Sequence, residues 1–167
     1  VLALFLMNLR ATFLVLISIP ISIGIALMIM AWWGISANLM SLGGIAVAIG
    51  MLVDGSVVMV ERLFHQAKQG KGNDIQRLKL GAQQVAKPIL FATSIIITVF
   101  LPLFSFEGVE AKLFEPMAMS IIFALIAALL VALFLLPALA AFLLKTTQSK
   151  SEPKWLRKSV RAYELSL

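Results

Sequence analysis

Gly43-Gly-Ile-Ala-Val-Ala-Ile-Gly50-Met-Leu-Val-Asp54-Gly-Ser-Val-Val-Met-Val-Glu61 holds one carboxylate, Asp54, among residues that are otherwise apolar or small until Glu61 closes the run. About 20 such residues span the hydrocarbon core of a bilayer as a helix. An Asp at the centre of a spanning helix costs about 2.5–3.5 kcal/mol on insertion scales, so a residue of this kind faces a protein interior and takes part in ion or proton movement. The stretch therefore points to a membrane helix that carries a chemical task.

The remainder of the chain fits that class. Of its 167 residues, 61% are hydrophobic and only 13% charged, about half the charge of an ordinary soluble domain. The expected fold is all-α, a polytopic transmembrane helix bundle with no large soluble domain. With no cysteine, disulfides and thiolate metal sites are excluded. The first residue is Val1, and Val1 to Met7 reads as the tail of an apolar helix without a signal-peptide n-region, so the chain is expected to be a piece of a longer protein.

Apolar runs and polar breaks alternate. Residues 1–8 end one transmembrane helix, and 12–33 form a second, loosened at Pro20 and Gly24, with Trp32 and Trp33 at the height of an interfacial aromatic belt. Residues 39–60 form the span with Asp54, capped by Asn38. Residues 61–87 are read as a cytoplasmic segment with a short helix, because Asn73 and Gln76 stand at capping-box spacing and Ile75, Leu78, Ala82 and Val85 make one apolar stripe. Pro88 suits the first turn of a span over 88–106. A periplasmic loop over 107–115 leads into a last span, 116–144, with Pro102 and Pro137 marking irregular helix ends. Residues 145–167 form a basic tail whose Trp155, Leu156, Val160 and Tyr163 suit an amphipathic helix on the membrane surface.

Charge sets the orientation, since Lys and Arg are retained on the cytoplasmic side. If the spans alternate, thirteen of the fourteen basic residues fall on one side, and the other keeps only Lys112 with Glu107, Glu110 and Glu115. The net charge of +6 is thereby explained without nucleic acid, for which the interleaving of aromatic and basic residues is also missing.

Ala46, Gly50 and Asp54 follow at i, i+4 and i+8, a small-xxx-small row that permits close helix packing on the face of the acid. Gly43, Gly44, Gly55 and Ser56 thin the same helix, and Asp54 is expected to point into a helix interface. Glu61, seven residues on, shares the face near the cytoplasmic end. A buried carboxylate binds and releases protons in the range a proton-coupled transporter needs. The bland alternatives are an Asp paired with a Lys or Arg elsewhere and, for Glu61, an ordinary interfacial acid.

Gly50-Met-Leu-Val-Asp54-Gly-Ser-Val-Val-Met-Val-Glu61 resembles the fourth-helix motif of the resistance-nodulation-division (RND) efflux transporters. Phe5-Leu-Met-Asn-Leu-Arg-Ala-Thr12, Gly81 to Pro88 and Leu136-Pro-Ala-Leu139 resemble further family segments in the same order, so the resemblance covers nearly the whole chain. It implies the end of helix two through helix six and the following surface helix, one half of the RND transmembrane domain in a bacterial inner membrane. It implies a homotrimer joined to a periplasmic adaptor and an outer-membrane channel through periplasmic domains that this chain lacks. It also implies that Asp54 is the proton-relay carboxylate of a proton/substrate antiporter, working with a Lys and polar residues of helices ten and eleven.

A single Asp followed by Gly55, and Phe106-Glu-Gly-Val-Glu-Ala-Lys-Leu-Phe-Glu-Pro-Met117, resemble the heavy-metal efflux subfamily, whereas multidrug members carry two adjacent Asp residues. Ala48 stands where zinc, cobalt and cadmium exporters often have a second acid, a pattern nearer copper and silver exporters. Met51, Met59, Met117 and Met119 are candidate ligands for a soft metal, although Met is also ordinary filler in apolar helices. His65, the one histidine, has no second ligand nearby and reads as solvated. Thr93, Ser94 and Thr98 bond either across helices near Asp54 or to their own backbone. No nucleophile and base pair is visible, so an enzyme is not expected, and no cofactor is implied. The readings in play are proton-driven export of heavy-metal cations, export of organic compounds by the same machine, and a sensing or scaffold bundle like the sterol-sensing domains.

Overall fold

Backbone polar groups in hydrocarbon must be satisfied within their own segment, and the apolar runs of this chain meet that demand as helices. The computed structural model describes residues 9–68 and 74–145, with no strand among them. Helix α1 (Leu9–Trp32) is followed by α2 (Leu39–Lys68), α3 (Asp74–Phe100), a 3-10 turn (Leu101–Ser105), α4 (Gly108–Leu130), a π turn (Val131–Leu135) and α5 (Leu136–Lys145). Among the described residues four spans are long and apolar enough to cross a membrane: Arg10–Trp32, Leu39–Ala67, Ile75–Ser105, and Gly108–Leu143, which joins α4 to α5 through the π turn.

The α1–α2 turn shows how local chemistry sets these ends. Gly34 takes the left-handed conformation at φ 72°, its N–H bonds Ala31 O, and Ile35 N–H bonds Met30 O at 2.9 Å. That pair of bonds is a Schellman motif, which satisfies carbonyls the helix end would leave bare. Asn38 then caps α2, its Oδ1 accepting the Ser41 N–H at 2.8 Å, while Ser41 Oγ accepts the Asn38 N–H at 2.9 Å. Each residue thus satisfies a donor of the other.

Helix α2 is central and packs against α1, α3, α4 and α5. It comes close to α4 at Gly44, where a Cβ would stand 2.6 Å from Met117 O and closer still to Ser120 Oγ. Only a residue without a side chain lets the two backbones meet there. Three buried apolar clusters follow. Ala11, Leu14, Met59, Leu63, Leu136 and Ala140 belong to the first; Ala26, Ala48, Ile121 and Leu125 to the second; Met30, Ile45 and Phe123 to the third. Trp33 packs on Phe123 with centroids 5.6 Å apart and the rings tilted by 54°, while Trp32 is 87% exposed. The outer side of α3 presents Phe91, Ile95 and Val99, an apolar surface suited to lipid.

Several element ends differ from the sequence reading. Residues 61–68 and 74–87 do not form a separate short helix: they are continuous with α2 and α3. Leu63, Phe64, Leu78 and Ile89 are buried in one cluster, so core contact carries both helices past the expected breaks. Pro88 accordingly sits inside α3 rather than in its first turn; one missing N–H is tolerated in a helix held by its neighbours. The loop over 107–115 shrinks, since α4 begins at Gly108 with Glu110 in its first turn, where a negative charge meets the helix dipole favourably. Pro102 does open the 3-10 turn. Pro137 ends nothing, because it lies in the second position of α5, just after the π turn. Ile75, placed on the apolar stripe, is 62% exposed. The helix end over 1–8, Asn73 as a cap and, beyond Lys145, the basic tail lie outside the described residues.

Candidate functional site

Helix α2 sets Asp54 fifteen residues beyond Leu39, about 22 Å along a helix about 45 Å long at 1.5 Å per residue. At about 100° per residue, Gly43, Val47, Gly50, Val58, Glu61 and His65 all fall within about 40° of Asp54 around the axis. Every one of these residues is exposed, as are Asp54 and Ala46. The opposite row, Gly44, Ile45, Ala48, Ser56, Met59, Val60 and Leu63, is buried.

Asp54 was expected to enter a helix interface, with Ala46, Gly50 and Gly55 packing beside it. Among the described residues no helix covers that face. A Cβ on Gly50 would meet nothing within 4 Å, and one on Gly55 would make ordinary contact with Ile89 Cγ2 at 3.4 Å. The small-residue seam inside this chain is instead Gly44 and Ala48, which the sequence reading passed over although they too stand four apart. Gly55 looks inward and lines, with Met51, Thr93 and Ala128, a void of about 30 Å³. That is room for one water, which needs at least about 10–15 Å³.

The hydroxyls near this level bond locally. Thr93 Oγ1 donates to Ile89 O at 2.9 Å and Thr98 Oγ1 to Ser94 O at 2.8 Å. The four candidate methionines do not converge: Met59 is buried in the first cluster, Met51 and Met117 pack on the second and Met119 on the third. Among the described residues no group of three or more His, Asp or Glu side chains is placed to hold a metal ion. These methionines fill the core, as flexible thioethers do.

Toward the far end of the Asp54 face, Val58, Glu61, Arg62, His65 and Val85 line a cleft of about 280 Å³. Arg62 is anchored across to α3, where its Nε donates to Gln84 Oε1 at 2.9 Å and Nη2 donates to the same oxygen. Gln66 Nε2 also reaches it, at 3.3 Å. The cleft was not foreseen, because it depends on α3 running straight past Lys87 and bringing Val85 and Gln84 against α2.

Known proteins share this arrangement of helices. The family model described as the AcrB/AcrD/AcrF family matches residues 1–166. The cation efflux system protein CusA of Escherichia coli O157:H7 is 36% identical over 150 residues, covering 84% of this chain and 14% of the relative. The swarming motility protein SwrC of Bacillus subtilis is 36% identical over 151 residues, 87% of this chain and 14% of the relative. A crystal structure of a heavy metal efflux pump superposes with a TM-score of 0.69 at 42% identity, covering 85% of this chain and 14% of that one. The chain thus spans about one-seventh of the length of these relatives.

Proposed function

Because this chain belongs to the AcrB/AcrD/AcrF family of resistance-nodulation-division transporters, we propose that it is the energy-coupling part of a proton-driven pump exporting heavy-metal cations, with Asp54 as the proton carrier. The observation that carries the reading is the placement of Asp54: mid-helix in a bilayer-length span, on a face left open by every described helix. In the assembled pump this face meets the second half of the transmembrane domain. The bundle lies in a bacterial inner membrane, with Glu61 to Lys87 on the cytoplasmic side. The pump is a homotrimer and reaches an adaptor and an outer-membrane channel through periplasmic domains outside this chain.

Coupling follows from elementary electrostatics. A charged carboxylate at membrane depth is expensive unless solvated or paired. A conformation that shuts the α2 face favours the neutral acid and proton uptake, and one that opens the face to water favours the anion and release. Alternation between the two, with protons entering from the acidic outer side, ties helix movement to the proton gradient. The buried seam at Gly44 and Ala48 keeps α1, α2 and α4 moving as one body while the open face changes partner.

Metal export is favoured by the Asp54-Gly55 pair and by the similarity to CusA and to a heavy metal efflux pump. Equal identity to SwrC, whose name refers to no metal, keeps export of organic compounds as the second reading. The test is proton flux in proteoliposomes of the full-length transporter, driven by Cu(I), Ag(I), Zn(II), Co(II), Cd(II) or organic substrates. Asp54→Asn, nearly isosteric but unable to titrate, is expected to abolish flux while trimer assembly stays intact. Flux with organic substrates alone would overturn the metal assignment, and loss of assembly in Asp54→Asn would make the carboxylate structural.

A further inference from the structure

Below Asp54, the open face of α2 carries a second feature that the relay alone does not use. Glu61 and His65 lie about 10 and 16 Å further along the axis at 1.5 Å per residue, both within about 20° of the Asp54 direction. They line one cleft of about 280 Å³, whose upper wall is Val58, one turn from Asp54. The charged and titratable lining residues are Glu61, Arg62 and His65, all from α2, whereas α3 contributes Val85. The volume is many times the roughly 10–15 Å³ that admits one water. A solvent column can therefore reach to within a helical turn of the carboxylate.

The cleft is also held open by structure. Arg62 points across to Gln84, and Gln66 joins the same oxygen, so the basic side chain is tied to α3. A Cβ on Gly81 would already stand 3.1 Å from Gln66 Cγ, which sets the two helices close together just below and leaves the cleft as the gap above. Glu61 and His65, four apart on the helix, are neighbours on its surface.

We propose that His65 is the group through which protons from Asp54 leave toward the cytoplasm, with Glu61 as the intermediate acceptor; this rests on the reading of Asp54 as the proton carrier. The steps balance. Protonated Asp54 gives its proton through cleft water to the Glu61 carboxylate, Glu61 passes it to a ring nitrogen of His65, and His65 releases it to cytoplasmic water or buffer. Each group returns to its starting form, and no other reactant is needed. Imidazole suits the last step, because a ring nitrogen can accept a proton on one side and the ring can release one on the other.

The experiment is turnover of the full-length transporter in proteoliposomes, measured against the pH of the cytoplasm-facing side, for the wild type, His65→Gln, Glu61→Gln and Asp54→Asn. His65→Gln is expected to lower turnover about tenfold near pH 7, less than the ~100-fold minimum of a positioned acid–base group because cleft water carries part of the flux. It is also expected to flatten the pH profile, leave the KM for substrate unchanged and recover with millimolar imidazole on that side. Glu61→Gln should lower turnover without recovery by imidazole. An unchanged pH profile in His65→Gln, or a uniform loss that imidazole does not restore, overturns the proposal while Asp54→Asn remains inactive. Active Asp54→Asn instead removes the relay reading itself. Should His65→Gln assemble poorly, His65→Asn repeats the measurement with a smaller amide.

Discussion

Replacing Gly44 by Ala tests the packing that fixes α2 against α4. The new methyl would lie 2.6 Å from Met117 O and nearer still to Ser120 Oγ, with Ile121 Cγ1 at 3.3 Å. Ser120 can turn its hydroxyl, although this breaks its 2.7 Å bond to Met117 O. The backbone carbonyl can yield only if the helices separate, by about 0.8 Å to restore an ordinary 3.4 Å contact. Overpacking of this kind costs about 1–3 kcal/mol, against which Ala gains about 1 kcal/mol over Gly in a helix interior. Gly50→Ala makes the same chemical change six residues on in the same helix, where nothing lies within 4 Å. The difference between the two variants therefore isolates the clash. In this 167-residue chain, unfolding by an SDS titration followed by helical circular dichroism should rank Gly50→Ala above wild type and Gly44→Ala below it. The gap should be about 1–3 kcal/mol, or 5- to 150-fold in the unfolding equilibrium. Equal stability of the two variants would refute the α2–α4 contact as described.

Asn38→Ala removes the acceptor of the Ser41 N–H and should destabilise the start of α2 by about 0.5–2 kcal/mol, seen as faster amide exchange at residues 39–41, with Asn38→Ser largely restoring protection. Deleting Leu133 should be tolerated better than deleting Ile126, judged by monodisperse yield in detergent. The first deletion converts the π turn to α-helix and keeps Leu136 and Ala140 facing the core, whereas the second rotates everything beyond it by about 100°.

The sequence alone discloses the helical class because hydrocarbon leaves the backbone few options: long apolar runs, sparse charge and a one-sided distribution of Lys and Arg all state the same constraint. Capping by Asn38 is legible for a similar reason, since it rests on two residues three positions apart, Asn38 and Ser41. What escapes is anything decided between distant segments. Pro88 reads as a helix start, yet Leu78 and Ile89 are buried in one cluster and draw the helix through it. Pro137 reads as a helix end, yet the extra residue is absorbed earlier, with the Leu136 N–H reaching back to Val131 O. That five-residue span is a π turn's bond, and no residue pattern in Val131–Leu135 announces it. The cleft beside His65 is hidden for the same reason, because two of its neighbours, Gln84 and Val85, come from another helix.

The two small-residue rows of α2 carry the last step. Positions 44 and 46 differ by two residues, about 200° around the helix, so Gly44–Ala48 and Ala46–Gly50–Asp54 lie on opposite sides. By composition they are equivalent, and each permits a close crossing. The structure gives them different fates: the first is closed against α4, the second is open along its length and holds the charged residues. A helix designed only to face lipid would carry bulky apolar residues on its open side, as α3 does with Phe91, Ile95 and Val99. Helix α2 carries Gly43, Ala46, Gly50 and an acid there instead. That composition suits a helix lying between two bodies, which is what the proposed function requires of α2, with Asp54 at their boundary.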